Sequence, residues 1–208
     1  MQHQLPESPE YVPYYELGAR PNIIVDGQAQ SATELTLSHW PWNTTPQLLQ
    51  RDTSTEIVFA YLDCPEFHRQ LPFVSNSHFD EDGLLSMFAI TQPEQALGYR
   101  DLMIATSRAG DFAIYTDAEA AKLSFVLAAY ADPETSPLAK KIFALNSKEQ
   151  VAALYQTMLA ELPKLLSDVD AFRQYWKAEY EHLQYSEAAI DSGEVEIREL
   201  PEHDLAII

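Results

Sequence analysis

The sequence has few cysteines, few glycines and few basic residues, and each shortage excludes a class of protein. A single cysteine, Cys64, can form neither an internal disulfide nor a multi-thiolate metal site. The six glycines include no phosphate-binding loop, and no Gly-x-Ser-x-Gly segment of a serine hydrolase is present. The N-terminus has no basic stretch followed by an apolar one, and no apolar run approaches the length of a membrane span. We therefore expect a cytoplasmic protein without membrane insertion.

Positive charge is also scarce. The chain has 13 Lys and Arg against 32 Asp and Glu, which gives a formal net charge of −19 at pH 7. Such a surface repels duplex nucleic acid and anionic membranes, so the expected partner is a small molecule instead. The hydrophobic share of 46% is ordinary for a folded protein. We expect one domain over residues 1–208, with residues 116–192 as a candidate helical subdomain.

A dense polar loop lies between two apolar runs in the middle of the chain. Residues 71–74 read as a buried strand, His78, Asp80 and Asp82 follow, and after Gly83 an apolar run of helical length begins. In an extended loop these three alternating side chains would converge on one point. Imidazole and carboxylate together suit Mn, Fe or Zn better than Ca. The alternative is an acidic helix N-terminus without a metal.

The segment His78-x-Asp80-x-Asp82-Gly83-x-x-Ser86 resembles motif I of the DHH phosphoesterase superfamily. In that family the motif follows the first strand and holds two metal ions. The resemblance implies a metal-dependent phosphoesterase, for which we expect Mn²⁺ as the first candidate cofactor. The Asp-His-His triplet that follows motif I in the family is absent from this chain, which as a whole also resembles an uncharacterised bacterial family.

The nearest equivalent of that triplet lies upstream of the motif. Ser38-His39-Trp40-Pro41 is followed by Asp52-Thr53-Ser54, which opens a predicted helix. If the elements are permuted, the resemblance places His39 where the middle histidine of the triplet would be. The alternative is that His39 closes a strand and packs beside its tryptophan neighbours.

A second candidate lies downstream, around Gly110. Gly110 allows a sharp turn before Asp111, a candidate bridging carboxylate, and Arg108 could clamp a phosphate oxygen with its fork of donors. The alternative is a helix C-terminus with a basic last turn and a glycine cap. That alternative does not require Asp111.

The periodicities predict an α/β fold, with a mixed β-sheet flanked by helices, a helix-rich C-terminal half and a terminal β return. Three early strands, 12–17, 22–25 and 34–37, are separated by turn residues and predict a meander or hairpin. Helical spacing resumes after residue 53 and continues, with breaks, to residue 190.

These observations predict a metal-dependent hydrolase, of the phosphoesterase type, that acts on a small anionic ester. The predicted metal ligands are His78, Asp80, Asp82, Asp111 and His39, and the predicted catalytic residues are Asp82, Asp111 and Arg108. The alternative function is a non-catalytic protein that binds a metal, ligand or partner and retains a phosphoesterase-like fold.

Overall fold

A computed structural model describes residues 5–208, and a four-stranded parallel sheet lies in its N-terminal half. The strands are β1 (Glu10–Tyr11), β2 (Asn22–Val25), β3 (Thr33–Leu37) and β4 (Phe73–Ser75). Their order is β1-β4-β2-β3, and each neighbouring pair is parallel. Near the C-terminus, β5 (Arg198–Leu200) and β6 (Leu205–Ile207) form a separate antiparallel pair. Residues 1–4, where the predicted domain begins, lie outside the described residues.

Helices make up most of the remaining chain. They are α1 (Ser54–Asp63), α2 (Glu81–Thr91), α3 (Pro93–Ala96), α4 (Arg100–Phe112), α5 (Ala118–Ala131), α6 (Ser147–Ser167) and α7 (Arg173–Asp191). Helix α2 packs against α1, α4 and α6 and is buried along its whole length from Asp82 to Ile90. In the described part of the chain no helix is both long and apolar enough to span a bilayer.

The predicted α/β class is confirmed, as are the helix-rich C-terminal half and the terminal β return. The predicted meander or hairpin is wrong, because β2 and β3 run parallel with only residues 26–32 between them. Two turns account for the difference. The chain reverses at Asp26, where φ is 44°, and reverses again where the amide of Thr33 donates to the carbonyl of Gln30.

Two helices also continue past residues that commonly end helices. Pro163 lies inside α6, which continues to Ser167 because the buried side chains of Leu162, Leu165 and Leu166 keep that turn packed. Gly110 is not a C-terminal cap, since α4 continues through it and Ala113 adopts the left-handed conformation instead, with φ 52°.

One hydrophobic cluster joins the sheet to the helices. It includes Val25 and Val74 from the strands, Phe88 from α2, and Leu123 and Trp176 from the predicted helical subdomain. The C-terminal helices therefore share their core with the sheet that carries the candidate site.

Because α2 is enclosed on all sides, we expect its side chains to dominate stability. Leu85→Ala should lower the free energy of unfolding by about 2–5 kcal/mol, through lost burial and the cavity left behind. Leu48→Ala, at an exposed leucine, is the matched control and should change it by less than about 0.5 kcal/mol. Urea denaturation measures both, and equal losses would contradict the central place of α2.

Candidate metal centre

Three loops leave the sheet at the same edge and carry the candidate site. Asp26 follows β2, His39 lies two residues beyond β3, and the segment 76–82 follows β4. Because these strands are parallel, their carboxyl ends meet at one edge, where ligand sites of open α/β sheets commonly form.

Asp26 is the central carboxylate of the site, and its side chain is only 1% exposed. Its Oδ1 accepts a hydrogen bond from Ser54 Oγ at 2.8 Å and lies 3.5 Å from His39 Nε2. Its Oδ2 lies 3.1 Å from His78 Nε2. The two oxygens of one carboxylate therefore face two different histidines.

Sequence reasoning missed Asp26, although a signal for it existed. Asp26 directly follows the buried strand Asn22–Val25 and precedes Gly27. That segment was interpreted as a turn between antiparallel strands. Recognition of a parallel sheet would have placed this carboxylate at the ligand-binding edge.

The first group of potential metal ligands is Asp26, His78 and Asp80, whose ligand atoms all lie within 4.8 Å of one another. His78 Nε2 is 2.8 Å from Asp80 Oδ2. The other oxygen of Asp80 caps α2 by accepting from the amide of Gly83 at 2.8 Å. One oxygen of Asp80 therefore caps α2, and the other contacts His78 in the ligand group.

The second group is Asp26, His39 and Asp82, within the same 4.8 Å limit. His39 Nδ1 lies 2.8 Å from the carbonyl oxygen of Asp52. Because a carbonyl can only accept, Nδ1 carries the proton and Nε2 is directed to the carboxylates. This arrangement is typical of metal-binding histidines.

Asp82 is fixed by the N-terminus of α1. Its Oδ2 accepts from the amide of Ser54 at 2.7 Å and its Oδ1 from the amide of Thr55 at 2.8 Å. The two amides hold the buried carboxylate beside His39 Nε2, at 3.8 Å. The positive end of the helix dipole also favours negative charge at this position.

The predicted convergence of His78, Asp80 and Asp82 on one point does not hold. It assumed an extended loop through Asp82, but α2 begins at Glu81. Helical geometry directs Asp82 toward His39, whereas His78 and Asp80 face Asp26 from the other side. The motif is therefore divided between two neighbouring ligand groups that share Asp26.

Helix α4 brings Asp111 to the cluster but not Arg108. Asp111 Oδ2 lies 3.5 Å from His39 Nε2, and this buried oxygen accepts no hydrogen bond within residues 5–208. The guanidinium of Arg108 instead binds Glu56, with 2.6 Å between Nη2 and Oε1. A phosphate-binding role for Arg108 stays a prediction.

Two glycines allow the loops to close around Asn76. A Cβ on Gly27 would lie 2.8 Å from Asn76 Oδ1, and one on Gly83 would lie 2.6 Å from Asn76 Nδ2. The buried Asn76 amide donates to Tyr155 Oη at 3.0 Å and to Asp26 Oδ2 at 3.4 Å. Glycine at both positions therefore permits the contact that orients Asp26.

The charges of the cluster shift its pKa values in opposite directions. Burial alone would lower the pKa of His78, but hydrogen bonds to Asp26 and Asp80 raise it to about 10. Burial would raise the pKa of Asp26, and contact with His78 brings it below its usual value. Burial, with the charges of Asp26 and Asp111, raises the pKa of Asp82 well above its usual value. His78 pairs with Asp26 and Asp80. Repulsion between carboxylates therefore adds to the effect of burial on the pKa of Asp82, which has no such ion pair with His78 among the described residues.

The donor set of the cluster could hold a metal ion. It offers imidazole nitrogens and carboxylate oxygens, both of which are common metal ligands. Without a cation, the raised pKa of His78 favours an imidazolium beside Asp26 and Asp80, and Nε2 would lose its proton on binding a metal ion. The buried Oδ2 of Asp111 borders these groups without a hydrogen bond in the described residues. The described residues therefore include Asp and His groups that could hold a metal ion.

The two ligand groups differ in their exposure to solvent. The histidines differ little, since His39 is 21% and His78 27% exposed, but Asp82 is 0% and Asp80 37% exposed. We therefore call the group of His39 and Asp82 the inner one, and the group of His78 and Asp80 the outer one.

The repulsion around Asp111 predicts a pH-dependent effect on stability. Burial, with the charges of Asp80 and Asp26, raises the pKa of Asp111 from 3.8 to about 6. The stability that protonated Asp111 contributes is present below about pH 4 and is lost as the pH rises through about 6. In chelator, Asp111→Asn should therefore be more stable than wild type above about pH 6, by about 1 kcal/mol, since solvent screens this partly exposed group.

Melting curves of both proteins at about pH 4, 5 and 7 test this, because the difference between them isolates residue 111 from other titrating groups. The advantage of the variant should vanish toward pH 4. A difference that is constant with pH would contradict the assigned repulsion.

Comparison with known proteins identifies a family for this chain. No curated protein and no solved structure matches the chain. The model of a family of unknown function, DUF6687, matches residues 7–208. Because this match spans the fold and all the residues of the candidate metal centre, we conclude that the chain belongs to the DUF6687 family.

Proposed function

We propose that the protein is a metal-dependent hydrolase of the phosphoesterase type that acts on a small anionic ester. The observation that carries the proposal is the position of Asp26, whose two oxygens face two separate ligand groups. A carboxylate that is shared in this way is the usual bridge of a two-metal hydrolase site.

The ligand assignment follows from the two groups. Asp26 would bridge two divalent ions, of which Mn²⁺ is the first candidate. His39 and Asp82 would hold the inner ion, and His78 and Asp80 the outer one. Ser54 Oγ and the amides of Ser54 and Thr55 orient the two buried carboxylates from α1.

Two such ions would supply the Lewis acidity that activates water and offsets charge on the ester oxygens. Asp111 is the candidate proton acceptor. Its carboxylate lies beside His39 at the cluster, and its buried Oδ2 accepts no hydrogen bond within residues 5–208. A positioned side chain of this kind can accept a proton from a water molecule at the cluster.

The likeness to motif I of the DHH phosphoesterases supports this proposal. His78 and Asp80 lie between the parallel strand β4 and α2, and Asp82 lies in the first turn of α2. His39 and Asp26 reach the same cluster from β3 and β2, which agrees with a permuted arrangement. Asp26 takes the bridging place that the sequence had suggested for Asp111.

A non-catalytic binding function is the second candidate, and the position of Arg108 favours it. Arg108 was the predicted clamp for a phosphate oxygen, but its guanidinium pairs with Glu56. A protein that only binds a metal or ligand at this cluster would not require a free arginine. Measurement of turnover separates the two candidates.

Removal of the bridge should abolish stabilisation by metal. A cation at a hundred times its dissociation constant stabilises the fold by about 2.7 kcal/mol. That corresponds to a rise in melting temperature of about 5–10 °C for a domain of this size. Asp26→Asn should remove most of this rise, because Asp26 belongs to both ligand groups. Each protein is melted in chelator and in Mn²⁺ or Zn²⁺ and compared with its own baseline.

Asp101→Asn is the matched control, since it removes an exposed carboxylate from α4 outside the cluster. It should retain the full metal-induced rise. If wild type melts identically with chelator and with metal, the metal centre itself is refuted.

Catalysis should depend on Asp111. Mn²⁺ should stimulate hydrolysis of a phosphomonoester or phosphodiester by wild type. Asp111→Asn should lower kcat by about 10²–10⁴-fold, because the proton acceptor is lost. The same variant should keep most of its metal-induced rise in melting temperature, because Asp26 and the other four ligands remain.

The Asp101→Asn control should turn over as wild type does. A wild type that is stabilised by metal but hydrolyses nothing across a broad panel of phosphoesters would favour the binding function instead.

A further inference from the structure

We propose that a pocket beside the metal centre binds a planar aromatic ring of the substrate. This inference rests on the proposed function, because the ring would belong to the anionic ester that the metal centre hydrolyses. The pocket has a volume of about 510 Å³. It is formed by residues 27–29 and 40–44, which belong to the loops that follow β2 and β3.

The pocket adjoins the metal centre through two of its residues. Gly27 directly follows the bridging carboxylate Asp26. The ring of Trp40 stacks at a tilt on the ring of His78, with 4.7 Å between their centroids. A ring bound in the pocket would therefore place an attached ester group beside the outer ligand group.

Trp42 has an unusual position in the wall of this pocket. Trp42 is 99% exposed, and its backbone has φ 64°. Positive φ is rare for a bulky residue. The structure therefore holds a large aromatic ring in solvent where nothing in the described chain packs against it.

The loop that carries Trp42 is closed at its base by hydrogen bonds. The amide of Ser38 donates to Thr45 Oγ1 at 2.9 Å, and Thr45 Oγ1 donates to the carbonyl of Ser38 at 2.8 Å. Near the tip, Asn43 Nδ2 donates to the carbonyl of Trp40 at 2.5 Å. The exposed ring is thus presented by a braced loop, which lowers the entropic cost of binding.

The chemistry of the pocket differs from that of the cluster next to it. Among the described residues that line it, none is charged, although the protein carries a net charge of −19. Trp40 and Trp42 offer faces for stacking, and Gln28, Asn43 and Thr44 add uncharged polar groups. An uncharged planar ring matches this lining, and its anionic ester group matches the metal centre.

The test uses phosphonates, whose carbon–phosphorus bond a phosphoesterase does not hydrolyse. Titration calorimetry of the Mn²⁺-loaded protein would measure methylphosphonate, cyclohexylphosphonate and phenylphosphonate. We expect phenylphosphonate to bind about tenfold tighter than methylphosphonate, and cyclohexylphosphonate to bind more weakly than phenylphosphonate, because stacking requires a flat ring.

Trp42→Ala should remove most of the preference for phenylphosphonate, and Trp42→Phe should keep most of it. Since Trp42 is exposed, neither variant should unfold. Tyr185→Ala, at an exposed aromatic side chain of α7, is the matched control and should bind as wild type does. All variants should keep the rise in melting temperature with metal.

The outcomes separate this inference from the proposed function. Equal affinities of wild type for the three phosphonates would overturn the aromatic site and leave the anion-binding metal centre intact. A preference that persists in Trp42→Ala would overturn the assignment to this pocket. Failure of all three phosphonates to bind would overturn both proposals.

Discussion

The parallel pairing of β2, β3 and β4 is the constraint on which the site depends. Antiparallel strands would carry the loops after β2 and β3 to opposite edges of the sheet. Parallel pairing brings Asp26, His39 and His78 to one edge, from positions far apart in the sequence. Helix α1 then starts at this edge and offers its free amides to Asp82.

The second determinant is the concentration of negative charge in a buried place. Asp26, Asp82 and Asp111 lie near one another, and burial opposes the ionisation of each. Helix amides, the hydroxyl of Ser54 and the imidazolium of His78 offset only part of this cost. Folds retain such an arrangement where it serves a function, because packing alone would favour apolar side chains.

Much of the fold and part of the site could be predicted from the sequence. Hydrophobic periodicity identified β2, α1 and α2, and the polar composition of segment 76–82 indicated a candidate site there. Strand direction could not be read, because turn residues mark a reversal of the chain but do not reveal whether a second reversal follows. Because β2 and β3 were predicted to be antiparallel, Asp26 was not predicted as a site residue. The division of the motif was missed as well, since it depends on whether α2 starts before or after Asp82.

Arg108 and Gly110 also could not be interpreted from the sequence around them. Their predicted roles rested on neighbouring residues, but their observed contacts are with residues that are distant in the sequence. Arg108 pairs with Glu56 of α1, and Gly110 allows close approach of Glu81, whose Cβ would lie 3.1 Å from a Cβ at position 110. In both cases the position of the residue depends on a contact between elements that are far apart in the sequence.

The unequal exposure of the two ligand groups bears on how many ions the purified protein would carry. In the proposed two-ion centre, the inner position is enclosed by Asp82 and Asp26, whereas the outer position is open through His78 and Asp80. An ion at the open position exchanges with solvent and chelators more readily than an enclosed one. Preparation in chelating buffers would therefore leave a stoichiometry near one ion per chain, and reconstitution would proceed in two separate binding phases.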